Sequence, residues 1–253
     1  MASPSPYELK LLGEFRLRVK DFNLNEFLNS DMELLRWIRA RENKLDQAEL
    51  MLRKHMKWRN EVNFDQLLLW DVPKQCQELL PEIILGFDND NCPVILSPNG
   101  KWDIRKVLQE VGPETALLAR WRNVKTIQEA MKNKLTSEGV PVTQYNVIAD
   151  LEGLSMAQGT FAALRMFSES VQMFEANFPE YSKLLIVINA PWFFPMFYKC
   201  IKPFVAEKTA GKIHIYGKNR KEWMEFLVSI FPVHVIPKVY GGSNGIEIPL
   251  LQQ

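Results

Sequence analysis

Residues 184–188 read Leu184-Leu185-Ile186-Val187-Ile188, an unbroken apolar run between Lys183 and Asn189. A strand with one wet face alternates apolar and polar residues. A run apolar at every position belongs to a strand covered on both faces, the usual state of a parallel sheet with helices packed on it. The neighbouring segments fit that condition. "QYNVIAD" (144–150) and "KIHIY" (212–216) read as strands, and between them Phe161, Leu164, Phe167, Val171 and Phe174 mark the apolar face of a helix. A further helix is expected from about Asn219 to Ile230. Upstream, "IILGF" (83–87) and "PVILS" (93–97) flank the turn-forming "DNDN" at 88–91, and a long helix is expected from Pro113 to about Leu135. Strand, helix, strand, helix, strand implies parallel pairing through crossover helices, so the fold class is α/β with a mostly parallel sheet.

The first ~65 residues read differently, as helices alone. Asp31 is placed to cap a helix carrying Leu34, Leu35 and Ile38 on one side. After a break at Asn43, Ala48, Met51, Leu52, His55 and Met56 give a second stripe at helical spacing.

Immediately after the apolar run comes "APWFFPMFYKCIKPF" (190–204), with five aromatic residues within seven positions. Residues 184–206 are long enough to cross a bilayer, which takes roughly 20 apolar residues. Lys199 and Lys202 argue against it, since each lysine near the bilayer centre costs about 2.5–3.5 kcal/mol. On a helix, Phe193, Phe197, Cys200, Ile201 and Phe204 share one face, and Phe194, Tyr198 and Val205 widen it to more than half the circumference. Residues 183–221 hold eight Lys or Arg and a single acidic residue, Glu207. An oily helix beside a basic rim suits contact with an anionic membrane surface, while a large core helix or a dimer contact would use the same residues.

Catalytic and metal-binding patterns find little support. Gly241-Gly242-Ser243-Asn244-Gly245 matches G-x-S-x-G, but no histidine or aspartate follows it, so it reads as a turn and not as a nucleophile elbow. Histidines stand only at 55, 214 and 234, without metal-ligand spacing, and neither phosphate-binding glycine motif is present. The net charge of +1 argues against a nucleic-acid binder driven by overall charge. Three separated cysteines argue against a disulfide framework. "MASPSPYELK" offers neither a secretory signal nor the second-position glycine of myristoylation, and a cytoplasmic setting is expected. No cofactor or metal is expected.

Eight blocks in order carry a resemblance: "MELLRWIRAR" (32–41), "KWR" (57–59), "GFDNDNCPVILSPNGKWD" (86–103), "DLEGLS" (150–155), "NFPE" (177–180), "INAPWFFPMFYKCIKPFV" (188–205), "TAGKIHIYG" (209–217) and "YGGS" (240–243). Together they resemble the CRAL-TRIO lipid-transfer family over about residues 30–243. The resemblance implies an N-terminal helical unit (1–70), a lipid-binding lobe (71–245) whose sheet floors a pocket, and a tail (246–253). It also implies a gate helix over that pocket, carrying Trp192, Phe193, Phe194, Met196, Phe197, Ile201 and Phe204, and a protein that is not an enzyme.

For a phosphatidylinositol head group the resemblance implies Glu180, Lys212, Thr209 and Arg41, with Arg39 as a neighbour. Where yeast-type members hold a phosphatidylcholine head group with hydroxyl side chains, this chain has Tyr145, Val147 and the pair Ile95 and Leu96. A more apolar second ligand, such as a tocopherol, a squalene-like sterol precursor or a retinoid, therefore becomes the expectation. Its pocket is expected to be lined by Tyr145, Val147, Phe161, Phe167, Met173 and Phe174. The partners implied are lipids and, transiently, a membrane surface, with the chain itself a monomer peripherally associated with membranes. The alternative use of such a pocket is a lipid-occupancy sensor or scaffold that regulates a partner protein.

Overall fold

The turn at residues 88–91 anchors the sheet. Asp88 lies between β1 (Ile83–Phe87) and β2 (Pro93–Ser97), an antiparallel pair. Its Oδ1 accepts the backbone N–H of Asp90 at 2.8 Å and of Cys92 at 2.9 Å. Its Oδ2 accepts Asn146 Nδ2 at 2.8 Å and Lys183 Nζ at 2.6 Å, reaching the next two strands. Those are β3 (Tyr145–Asp150) and β4 (Ser182–Ile188), followed by β5 (Ile213–Ile215). In the computed structural model, which describes residues 1–246 and 248, the strand order is β1-β2-β3-β4-β5, and every pair after the first is parallel.

The helices are α1 (Pro6–Arg18), α2 (Asp31–Arg39), α3 (Leu45–Glu61), α4 (Lys74–Leu79), α5 (Ile104–Glu110), α6 (Gly112–Met131), α7 (Phe161–Asn177), α8 (Phe194–Ile201), α9 (Glu207–Ala210) and α10 (Arg220–Ile230). Strands laid down in strict sequence, with right-handed crossovers, place all crossover helices on one face of the sheet. The cores agree. Ile95 and Tyr145 pack with Trp121 and Val124 of α6 and with Met173 and Phe174 of α7, while Val187 and Ala149 meet Phe194 of α8. Val94, Leu96, Ile148, Ile186 and Ile188 point the other way, onto Trp223 and Leu227 of α10. Residues 184–188 of β4 are thus apolar without a break because both faces of the strand are covered.

The N-terminal helices bury Phe15, Leu34, Leu35, Ile38, Ala48 and Leu52 together and join the rest through a buried ion pair. Arg36 Nη2 donates to Glu33 Oε1 at 2.6 Å and to the Thr143 carbonyl at 3.2 Å, and Nη1 donates to the Pro179 carbonyl at 3.2 Å. The guanidinium carbon lies 3.7 Å from the centre of the Tyr181 ring. His55 is buried in the same seam, hydrogen-bonded through Nδ1 to Asn177 Oδ1 at 3.2 Å and packed against Trp37, Trp58 and Phe178.

Several expectations are corrected. Ser30 occupies the N-cap position of α2, and Asp31, one residue inside, bonds Arg16. The helix expected over 113–135 is α6 alone, ending at Met131, and a separate α5 precedes it with Asp103 as its cap. The aromatic helix is shorter than residues 192–204: α8 proper ends at Ile201, and Lys202–Phe204 form one 3-10 turn around Pro203. Residues 247 and 249–253 of the expected tail lie outside the described residues. Among the described residues no helix is long and apolar enough to cross a membrane.

Removing one member of a buried ion pair strands the other. Arg36→Ala should therefore lower stability by about 3–5 kcal/mol, and Glu33→Met/Arg36→Met should recover most of it. Urea unfolding midpoints of the two variants provide the check. Burial, with the charge of Arg59 adding, pulls the His55 pKa down from 6.5 to about 3. Between those values the unfolded chain takes up a proton that the folded chain refuses. The His55 contribution is complete above about pH 6.5 and is lost as pH falls toward about 3, at up to ~1.4 kcal/mol per unit. In His55→Gln, unfolding measured at pH 7 and pH 5 should show a shallower loss than in the parent.

Candidate functional site

At the N-terminal end of β4 and β5 stands a charged corner. Glu180 follows the buried Phe178 and Pro179 and has a left-handed backbone (φ 61°), which turns the chain so that Tyr181 is again buried. Its carboxylate lies 3.3 Å from Lys212 Nζ and 3.5 Å from Lys208 Nζ. Lys212 also donates to the Ser182 carbonyl at 2.9 Å, and Lys208 donates to the Arg39 carbonyl at 2.7 Å, which brings α9 against the end of α2. Glu175 lies beside Thr209, and its carboxyl is pushed up by burial although Thr209 and Lys212 oppose the shift.

Of the five residues expected around a head group, the structure brings Glu180, Lys212 and Thr209 together. Arg41 extends from the end of α2, donates to the Ala40 carbonyl at 2.8 Å and forms no ion pair with a described residue. Arg39 is placed elsewhere. Its guanidinium grips Glu8 in a bidentate pair, 2.7 and 3.0 Å, and the Ala2 and Ser3 carbonyls, holding the Glu8 carboxyl down to about 2. Lys208 and Glu175 were not legible as members of the corner, because the fold alone brings their segments to Glu180.

Next to this corner, one row of side chains crosses the sheet on the face toward α6, α7 and α8: Ile95, Val147, Leu185 and Ile213, paired strand to strand. Ile95 is buried, and the other three are only half-buried. α8 spans the β4–β5 end of this face. Phe194 packs inward against the cluster of Val187, Leu185 and Ile213, and stacks on Tyr198 at 6.1 Å. Phe197 is buried beside Gly159, where a Cβ would sit 2.3 Å from the ring, so only glycine admits the contact. Phe193 and Ile201 are half-buried, whereas Met196 and Phe204 are exposed and Trp192 is 84% exposed, alongside exposed Lys199 and Lys202.

The apolar face expected for α7 is rotated from the buried one. Ala163, Met166, Ser170 and Asn177 are buried: Ala163 and Met166 pack with Ile104 and Val107 of α5 and Ala116 of α6, and Asn177 meets His55 of α3. Leu164, Phe167, Val171 and Phe174 are left half-buried. Phe161 begins the helix and is 82% exposed, so it lines no interior surface. Tyr145, Val147, Met173 and Phe174 share the core under α6 and α7. A cavity of about 340 Å³ lies beyond them, between α6, α7 and the α4 segment. Phe167 stacks on Trp102 at its wall (6.1 Å), but none of the six residues expected to line a pocket borders it.

The model of the CRAL/TRIO domain family matches residues 77–242. The chain belongs to the CRAL/TRIO family. It is 26% identical over 241 residues to "Protein real-time" of Aedes aegypti, covering 94% of this chain and 37% of that protein. It is also 26% identical over 240 residues to a CRAL-TRIO domain-containing protein of Caenorhabditis elegans, covering 94% of this chain and 33% of that one. The chain thus spans about a third of the length of these curated relatives. The crystal structure of Sfh5 has the same fold, with a TM-score of 0.70 at 15% identity over 85% of this chain and 82% of that one. CRAL/TRIO proteins form a lipid-binding and lipid-transfer family.

Several CRAL/TRIO sequence blocks serve as staples in this chain. Asp150 of "DLEGLS" accepts Asn189 Nδ2 at 2.8 Å and the Tyr240 hydroxyl at 2.5 Å, tying that block to "INAP" and "YGGS". The G-x-S-x-G match follows a 3-10 turn rather than a strand. A Cβ on Gly242 would collide with the Ile236 carbonyl at 2.0 Å, so the glycine serves a tight turn.

The seam between α7 and α8 yields a direct test. Gly159→Ala should push the Phe197 ring aside and loosen α8. Hydrogen exchange across residues 194–201 should then accelerate about tenfold or more, while exchange in β3 stays as in the parent.

Proposed function

We propose that this chain binds a single phosphatidylinositol molecule, with its head group at the Glu180–Lys212 corner, and carries it between membranes, α8 acting as a movable cover. The observation that carries this reading is the two-sidedness of α8. Phe194 and Phe197 face the protein interior, while Met196 and Lys199, with Trp192 just before the helix and Lys202 just after it, face outward. Such a helix is suited to exchange its contacts with the sheet for contacts with an anionic interface, where tryptophan and lysine are both favoured. Two arrangements of similar energy, rebalanced by a bilayer, suffice for loading and release.

At the corner, Glu180 accepts hydrogen bonds from inositol hydroxyls, and Lys212, Lys208 and Arg41 offer donors to the phosphodiester. The apolar row from Val147 to Ile213 receives acyl chains, and a second, more hydrophobic ligand competes for the same interior. No covalent step enters this cycle, so the chain works as a carrier at membrane surfaces and not as an enzyme.

Vesicle-to-vesicle transfer of labelled phosphatidylinositol tests the reading, and binding without transfer would make the chain a lipid sensor instead. Lys212→Ala should weaken phosphatidylinositol loading about tenfold, the worth of one charge-assisted hydrogen bond, and leave tocopherol or squalene loading nearly unchanged. Equal loss of both ligands in a folded variant would sink the head-group assignment.

A further inference from the structure

The cavity between α6 and α7 is not purely oily. Leu80, Trp102, Ala116, Ala119 and Met166 give it apolar walls, and Arg120 and Arg122 enter it from α6. The helix explains the pair. Trp121 points into the core under the sheet, and at 100° per residue its two neighbours flank it on either side. The arginines then part company. Arg120 is committed, because its Nη1 bonds Glu82 Oε1, which also accepts the Ser97 hydroxyl at 3.2 Å. Arg122 is not. Its Nε is buried without a hydrogen-bond partner, and its guanidinium makes no ion pair with any described residue.

Two carboxylates border the cavity as well, but Glu82 is held by Arg120 and Asp71 is exposed. An Nε–H buried with neither water nor an acceptor is costly, and it is the edge of the Arg122 guanidinium that a ligand can satisfy. A planar fork of donors is satisfied best by a carboxylate or phosphate held through two parallel hydrogen bonds. At about 340 Å³ the cavity stands at the small end of ligand pockets, roughly 300–1,000 Å³, where one chain fits and the two chains of a phospholipid do not.

We infer that this cavity holds a single-chain or compact amphiphile whose acidic group pairs with Arg122. The inference rests on the lipid-binding reading and alters one part of it: the second ligand is an acid, not the neutral isoprenoid that the hydroxyl-poor sheet suggests. Asn123 and Ser170 border the cavity too and can bond the acid's remaining lone pairs. Carboxylate and phosphate monoester share this chemistry, and the probes below separate them.

The experiment compares oleate, oleyl alcohol and oleoyl lysophosphatidic acid, which share one chain and differ in the head, by displacement of a fluorescent fatty acid from the full chain. Phosphatidylinositol transfer is measured in parallel. Oleate or the lysophosphatidic acid should bind at least about tenfold more tightly than the alcohol, and whichever does so identifies the acid. Arg122→Met should abolish that preference while leaving alcohol affinity, unfolding midpoint and phosphatidylinositol transfer unchanged, and Arg122→Lys should retain part of it. Equal binding of acid and alcohol by the parent overturns the inference, as does a preference that survives Arg122→Met. If none of the three binds while phosphatidylinositol is still transferred, the acid site is wrong and the carrier reading stands. Loss of transfer in the parent would remove the carrier reading itself.

Discussion

Both halves of this molecule close on the Arg36 guanidinium. It leaves α2, takes Glu33 from its own helix, and donates to carbonyls at Thr143 and Pro179 that precede β3 and β4. A charge this deeply buried is tolerable only when paired and surrounded by acceptors, and the Tyr181 ring adds a face for it to lie on. The consequences spread from there. Asn177 is placed to meet His55, Phe178 enters the aromatic cluster with Trp58 and Trp121, and Tyr181 takes the Gln128 amide on its hydroxyl. Glu180, half-buried between Pro179 and Tyr181, turns its carboxylate toward Lys208 of α9. The charged corner is in this sense a product of the core.

The stretch Arg36-Trp37-Ile38-Arg39-Ala40-Arg41 shows how like residues divide their work. Arg36 and Arg39 lie three apart on α2, yet one is sealed in the core and the other reaches out to Glu8, at the start of α1. Arg41 lies past the helix end and keeps its charge uncommitted among the described residues. Helical spacing alone makes the first two look equivalent. What separates them is that β3 and β4 begin beside the first, and the N-terminal segment folds over the second.

This is also the boundary of what the sequence made legible. The strands at 83–87 and 93–97 could be read to the residue because turn chemistry closes them on both sides. The parallel sheet was legible from the unbroken run at 184–188. Eight ordered blocks carried the family, and with it the meeting of Glu180, Lys212 and Thr209. Periodicity in α7 reported an oily stripe but not which stripe is buried, because the packing of Ala163 and Met166 on α5 and α6 decides that. For the same reason Phe161 and Arg39 were misplaced, and Arg36, Gly159 and Arg122 went unseen. Each takes its role from a partner far away in sequence, or from the lack of one.

The register of the sheet relates the two polar features to each other. Glu180 and Lys212 stand where β4 and β5 begin, whereas Glu82, which holds Arg120, bonds Ser97 at the last residue of β2. With parallel strands about 4.8 Å apart and a rise of about 3.3 Å per residue, these features lie at diagonally opposite corners, on the order of 15–20 Å apart. Ile95, Val147, Leu185 and Ile213 form the floor between them. None of these four residues borders the cavity at Arg122, whose walls come from the α4 segment, α6 and α7. A lipid chain on the floor and an amphiphile in that cavity would therefore occupy separate spaces, and neither would need to leave for the other to enter. Release from the floor would require α8 to move, because Phe194 rests on its β4–β5 end.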